Sequence, residues 1–95
     1  MSVLESLSGK YRLPNPTTPE DLEVRWSKML NFGDKVLLAG YYYEYRNAHH
    51  YFGAIYEFLS DDHTCEGEIG LRSISDLAFD DDGHAIEWAM KEAVK

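Results

Sequence analysis

The clearest helical pattern in the sequence begins at Thr18. Thr18 can cap a helix, Pro19 suits the first helical position, and Asp21 stands where a capping box places an acceptor. Apolar residues then recur at helical spacing, at Leu22, Trp26, Met29 and Leu30. The pattern predicts an amphipathic helix over residues 19–31, which Gly33 ends.

The next segment has the composition and alternation of strands. Residues 35–46 and 50–59 are dominated by Val, Leu, Ile, Tyr and Phe, which predicts a hairpin with its turn near Arg46–His49. After a second turn over 60–64, small or apolar residues alternate with charged ones, as in a half-buried strand. We therefore expect three antiparallel strands over 35–72.

The two ends of the chain differ in character. A short amphipathic turn followed by a proline-rich spacer predicts an extension over residues 1–16. From residue 80 the pattern is helical again, with an apolar stripe that runs to residue 94. The sequence thus predicts one α+β domain over 1–95: a three-stranded antiparallel meander with two amphipathic helices, 19–31 and 80–94, packed on one face.

The charge is strongly negative and unevenly distributed. The chain has 17 acidic and 9 basic residues, a net charge of −8. Between Glu57 and Asp82 there are nine acids and the single base Arg72, so this stretch carries the whole excess. Such a field repels nucleic acid and anionic membranes and attracts cationic partners, although negative charge also favours solubility on its own.

Cysteine content and hydropathy bear on the cellular setting. Cys65 is the only cysteine, so no internal disulfide can form, which indicates a reducing, cytoplasmic setting. The longest apolar run, 36–43, is interrupted by Gly40 and is far shorter than the roughly 20 residues of a membrane span. We expect neither membrane insertion nor secretion through a signal peptide.

No residue pattern indicates a metal, a cofactor or a catalytic reaction. Four residues are of the type that binds zinc: His49, His50, His63 and Cys65. The adjacent histidines cannot converge on one ion, because successive strand residues point to opposite faces. A calcium loop aligned on Gly83 lacks both end ligands, so the preceding aspartates are better explained as helix-capping acids. No nucleophile motif is present, and we expect no metal, no cofactor and no enzymatic activity.

Tyrosines are concentrated in the predicted hairpin. Six of the seven fall within sixteen residues, at Tyr41, Tyr42, Tyr43, Tyr45, Tyr51 and Tyr56. A small core cannot bury all of them, so some either pair across the strands on the surface or anchor a partner. Base stacking would also need a basic groove, which the neighbouring residues do not supply. We therefore expect no direct binding of nucleic acid.

Acidic charge and tyrosines together predict a protein-binding module. We expect an inhibitor or adaptor that engages a basic surface of a partner protein, including a surface that normally holds nucleic acid; a phage-type inhibitor of a host or defence complex is one case. The candidate partner-binding residues are Tyr41, Tyr43, Tyr45, Asp61, Asp62, Glu66, Glu68, Asp80, Asp81 and Asp82. Two alternatives stay open: a structural homodimer built through the hairpin, and a small enzyme with a site around His49, His50 and the tyrosines.

Overall fold

The protein is an α+β fold built on one antiparallel sheet. The computed structural model describes residues 13–25, 28–44, 48–75 and 78–95, with the backbone alone at Arg25, 42–44 and 48–50. The elements in chain order are α1 (Pro19–Arg25), β1 (Lys28–Phe32), β2 (Lys35–Glu44), β3 (Ala48–Phe58), β4 (Ile69–Ile74) and α2 (Asp82–Ala93). The strands lie in the order β1-β2-β3-β4, each antiparallel to its neighbour. The α+β class and the antiparallel meander are therefore confirmed.

The sheet has a fourth strand where the sequence pattern predicts helix. The prediction of a helix over 19–31 is wrong, because α1 ends at Arg25 and Lys28–Phe32 pairs with β2. Gly33 is the first residue of the two-residue turn between β1 and β2, and its φ is 64°. Tight hairpin turns of this kind need a positive φ, which glycine adopts without strain. The glycine that was expected to end a helix therefore starts a hairpin.

The two helices lie on opposite faces of the sheet. Val36 and Leu38 of β2 pack in one cluster with Leu22 of α1. Leu37, which lies between them, packs in a second cluster with Ala89 of α2. Since successive strand residues point to opposite faces, each face has its own helix and its own core. The expectation that both helices share one face is therefore wrong.

The second helix is capped as the sequence predicts. Asp81 is its N-cap, and the Asp81 Oδ1 accepts a hydrogen bond of 2.7 Å from the backbone N–H of His84. The helix packs closely on the sheet at Gly53, where a Cβ would lie 2.7 Å from the backbone oxygen of Ala85. Neither this helix nor α1, the helices of the described ranges, is long and apolar enough to cross a membrane.

Part of the predicted N-terminal extension belongs to the folded body. The backbone N–H of Thr17 donates to Ile69 O at 3.0 Å, and Ile69 donates back to Thr17 O at 2.7 Å. The fully buried Tyr56 donates its hydroxyl hydrogen to Pro14 O at 2.8 Å. These contacts hold residues 13–17 along β4, whereas the predicted turn before them lies outside the described residues. On the β4 side, the edge of the sheet is thus partly covered.

Candidate functional site

The acidic stretch that is continuous in sequence is divided in space. Asp61, Asp62, Glu66 and Glu68 are exposed in the loop over 59–68, here called the acidic loop, which joins β3 to β4. Asp80, Asp81 and Asp82 instead follow Phe79, whose backbone pairs with Tyr51 near the start of β3. Tyr51 and Phe58 are seven positions apart along β3, which is roughly 23 Å of strand. The predicted acids therefore form two groups: the acidic loop follows the end of β3, whereas the Asp80–Asp82 group lies beside the first half of β3, with Asp82 3.6 Å from Lys28 of β1.

Tyr41 lies with the second of these groups. Its ring makes an edge-to-face contact with Tyr51, with ring centroids 5.3 Å apart and an interplanar angle of 68°. Both rings are half-buried, so this pair has the cross-strand geometry that stabilises a sheet. The side chain of Tyr43 and the whole of Tyr45 lie outside the described residues, and their role as anchors stays a prediction.

The adjacent histidines lie in a strand and not in the hairpin turn. The register places His49 opposite Tyr43 and His50 opposite Tyr42. The turn predicted near Arg46–His49 is therefore too long, because Ala48 and His49 belong to β3. Over the residues whose side chains the structure describes, no group of three or more His, Cys, Asp or Glu is arranged to hold a metal ion.

Hydrogen bonds give the acidic loop a defined shape. The backbone N–H of Leu59 donates to Glu68 O at 2.9 Å, and that of Gly67 donates to Thr64 O at 3.0 Å. The N–H of Thr64 also donates to Asp62 Oδ1 at 3.2 Å. Gly67 is buried, and a Cβ there would overlap the backbone carbonyl of Asp62. The carboxylates thus project from a closed loop whose backbone is held at both ends.

The first helix adds three acids to the same end of the molecule. The backbone N–H of Glu20 donates to Cys65 O at 3.1 Å, which holds the first turn of α1 against the acidic loop. The side chains of Glu20, Asp21 and Glu23 are exposed. The sequence gives no signal for this arrangement, because the two segments are far apart in the chain. The seven acids are called the acidic end: Glu20, Asp21, Glu23, Asp61, Asp62, Glu66 and Glu68.

The charges of the acidic loop are largely unpaired. Among the described side chains, no basic group lies within ion-pair distance of Asp61, Glu66 or Glu68. The nearby Lys35 is engaged elsewhere, 3.0 Å from Asp34. Its hydrogen bond and positive charge hold the pKa of the Asp34 carboxyl below its usual range. The acidic loop therefore presents its negative charge to solvent.

A groove of about 570 Å³ opens beside the acidic loop. Met29 of β1 and Phe58 of β3 supply apolar lining, and Glu23 of α1 supplies a carboxylate. The His63 ring stacks on Phe58, with ring centroids 4.6 Å apart and an interplanar angle of 24°. Cys65 also lines the groove with an exposed thiol. The volume lies within the range of small-ligand sites, roughly 300–1,000 Å³.

A smaller cleft of about 250 Å³ lies along α2, at Phe79 and Trp88. Its charged residues are already paired, since the Lys91 ammonium lies 2.9 Å from Glu87 Oε1. The hydrogen bond from Lys91 and its charge lower the pKa of the Glu87 carboxyl. This cleft therefore offers an aromatic surface with little free charge.

A known protein family matches the part of the chain that contains both the acidic end and the groove. The family is described as nucleotide modification associated domain 4, and its model matches residues 13–93. The chain belongs to this family. No curated protein and no solved structure matches it. The match to nucleotide modification associated domain 4 runs from the segment along β4 to the end of α2. It therefore covers every helix and strand described above.

Proposed function

We propose that this domain is a non-catalytic binding module, which engages a basic surface of a partner protein through its acidic end. The observation that carries the proposal is the acidic loop, where Asp61, Glu66 and Glu68 are exposed and unpaired within the described structure. Several unpaired carboxylates in one loop raise the free energy of the folded protein, since like charges repel one another. A cationic partner would relieve that repulsion.

The shape of the loop supports a binding role. A segment that is already ordered loses little conformational entropy when a partner binds, and more of the interaction energy then appears as affinity. The hydrogen bonds from Leu59 and Gly67 close the loop in the free protein. The negative field in turn accelerates encounter with a positively charged surface. Charge and pre-organisation thus favour the same interaction.

The family suggests where such a partner is found. The description of the family refers to nucleotide modification, and we therefore place the partner among proteins that modify nucleotides or nucleic acid. Proteins that bind nucleic acid carry lysine and arginine on the surface that contacts phosphate. The acidic end offers that surface an array of carboxylates in place of phosphates. The domain would therefore act in the cytoplasm as an inhibitor or adaptor of a nucleic-acid-modifying protein.

The proposal of a non-catalytic role is supported by the surroundings of the thiol and the imidazole of the acidic loop, Cys65 and His63. A nucleophilic cysteine needs a base within hydrogen-bonding distance. In the part of the chain that the structure describes, the Cys65 thiol makes no hydrogen bond to His63 or to any other side chain. We accordingly propose that the domain binds a partner protein and does not catalyse a reaction.

Charge removal at the acidic loop tests this function. The loop variant combines Asp61→Asn, Asp62→Asn, Glu66→Gln and Glu68→Gln, which removes four negative charges and keeps an oxygen at position 62 for the hydrogen bond from Thr64. We expect a partner that the wild-type domain retains from a lysate of its source cells, in low salt, to be lost by the loop variant. Unchanged melting would show that the fold is intact, because exposed charges contribute little to stability.

A second variant with the same change in net charge controls for non-specific electrostatics. It combines Asp80→Asn, Asp81→Asn, Glu87→Gln and Glu92→Gln, all on or beside α2, and it keeps an oxygen at position 81 for the capping hydrogen bond from His84. We expect this helix variant to retain the partner as the wild type does. Loss of the partner by the helix variant alone would move the site to the Asp80–Asp82 group. Retention of nothing but a second copy of the domain would favour the structural homodimer.

A further inference from the structure

We infer that the groove beside the acidic loop receives an arginine side chain of the partner protein. The inference rests on the proposed function and adds to it a specific pocket and a specific side chain. The groove is lined jointly by α1, β1, the end of β3 and the acidic loop, so it lies inside the acidic end. A basic segment drawn to the loop carboxylates would place its side chains at the mouth of this groove.

The aromatic wall of the groove suits a planar cation. One face of the His63 imidazole covers Phe58, with centroids 4.6 Å apart, while the residue as a whole is exposed. Because the residue is exposed, part of the ring is accessible to an incoming group. A guanidinium is flat and weakly hydrated and stacks on aromatic faces, whereas an ammonium is compact and strongly hydrated. The wall thus favours arginine over lysine.

The charge of the groove also favours a cation. Glu23 lines it and presents an exposed carboxylate, which a guanidinium can grip with two parallel hydrogen bonds. Lys28 lines it too, but the Lys28 ammonium lies 3.6 Å from Asp82 at the start of α2. The neighbouring loop acids add to the negative field. Phosphate would be repelled here, so we favour a protein side chain over a nucleotide as the occupant.

Cys65 provides a direct probe of the occupied groove. It is the only cysteine of the chain, it is exposed, and it lines the groove. A maleimide reagent therefore reports the access to one defined position. The probes are two uncharged-end pentapeptides, one alternating glycine with arginine and one alternating glycine with lysine, with adenosine monophosphate as a third. Each is titrated at millimolar concentration in mildly alkaline buffer.

We expect the arginine peptide to slow the labelling of Cys65 at a concentration about two- to fivefold lower than the lysine peptide, the range of an exposed guanidinium–aromatic contact. Adenosine monophosphate should leave the rate unchanged. Equal protection by the two peptides would contradict the inference, as would the absence of protection. Protection by the nucleotide would show that the groove is a nucleotide site instead.

Two groups of variants separate the groove from the acidic loop. His63→Ala and Glu23→Gln should abolish the preference for arginine, while His84→Ala, a histidine at the start of α2, should preserve it. The loop variant should bind both peptides more weakly and by the same factor, so the ratio of the two protecting concentrations should not change. If the loop variant loses the partner, but the arginine peptide never protects Cys65 at a lower concentration than the lysine peptide, the groove assignment fails and the proposed function stands. If the loop variant changes neither peptide affinity nor partner retention, the proposed function fails.

Discussion

Replacing Phe52 with alanine should lower the free energy of unfolding by about 3–5 kcal/mol, the usual cost of removing a buried aromatic ring. The Phe52 side chain is fully buried on the α1 face, where it packs in the cluster that contains Leu22 and Val36. A domain of this size is stabilised by only about 5–15 kcal/mol. Chemical denaturation should therefore show a large fall in the midpoint, with complete unfolding at modest denaturant concentration.

Gly40 gives this prediction an internal control. Gly40 lies opposite Phe52 in the register of β2 and β3, and a Cβ there would overlap the ring. Gly40→Ala alone should cost about 1–3 kcal/mol by overpacking. In the Phe52→Ala background the same methyl group would fill part of the vacated space, so the double variant should be more stable than the sum of the single costs predicts, by about 0.5–3 kcal/mol. Additive costs would mean that the two residues are not in contact.

Gly67→Ala is expected to have the second-largest effect, because it changes both stability and binding. The added Cβ would overlap the backbone carbonyl of Asp62, and a backbone atom cannot rotate aside as the end of a side chain can. The loop must open, at a cost of about 1–3 kcal/mol or more in the free energy of unfolding. Opening would also displace the carboxylates, so retention of the partner should fall at temperatures where the domain is still folded.

Gly83→Ala serves as the matched control for this substitution. Gly83 lies in the first turn of α2, is exposed, and has only the side-chain oxygen of Asp81 near its Cβ position, at 3.3 Å. The better helix propensity of alanine offsets that close contact, so the change in stability should stay within about 1 kcal/mol and binding should be unchanged. Wild-type binding by Gly67→Ala would show that the shape of the acidic loop is irrelevant to the interaction.

The sequence predicts the elements best where a local signal has one meaning. Asp81 caps α2 and Thr18 Oγ1 accepts a hydrogen bond from the N–H of Asp21, both as their positions predict. The helix over 19–31 is wrong because Met29 satisfies helical spacing and strand alternation equally well. The Gly33-Asp34 dipeptide was the informative signal, since two such residues between short strands are typical of a tight hairpin.

The placement of the helices could not be predicted from helical periodicity. A strand such as β2 is buried on both faces, and its residues 36–39 are all fully or nearly fully buried. Continuous apolar runs of this kind are typical of strands covered on both sides, whereas half-buried strands alternate. The apolar run from Val36 to Ala39 therefore indicates that both faces of the sheet are covered. It does not indicate which helix covers which face.

The candidate site was predicted in part, from charge alone. The four acids of the acidic loop are exposed as expected, but the Asp80–Asp82 group lies beside the first half of β3 and not with the loop. The contribution of Glu20 depends on one hydrogen bond to Cys65 O across the tertiary structure. The groove likewise combines four segments of the chain. Composition shows how much charge is present, whereas only the fold shows which charges share a surface.

The dependence of the association rate on salt is the most direct test of the central claim, that the acidic loop binds a basic surface. With the retained partner immobilised, the wild-type domain should associate fast in low salt and progressively more slowly as ionic strength rises. The loop variant should associate about tenfold or more slowly in low salt, with a flatter dependence, because electrostatic steering commonly contributes 10- to 1,000-fold. The helix variant should follow the wild type. A loop variant that associates at the wild-type rate, with the same response to salt, would contradict the account.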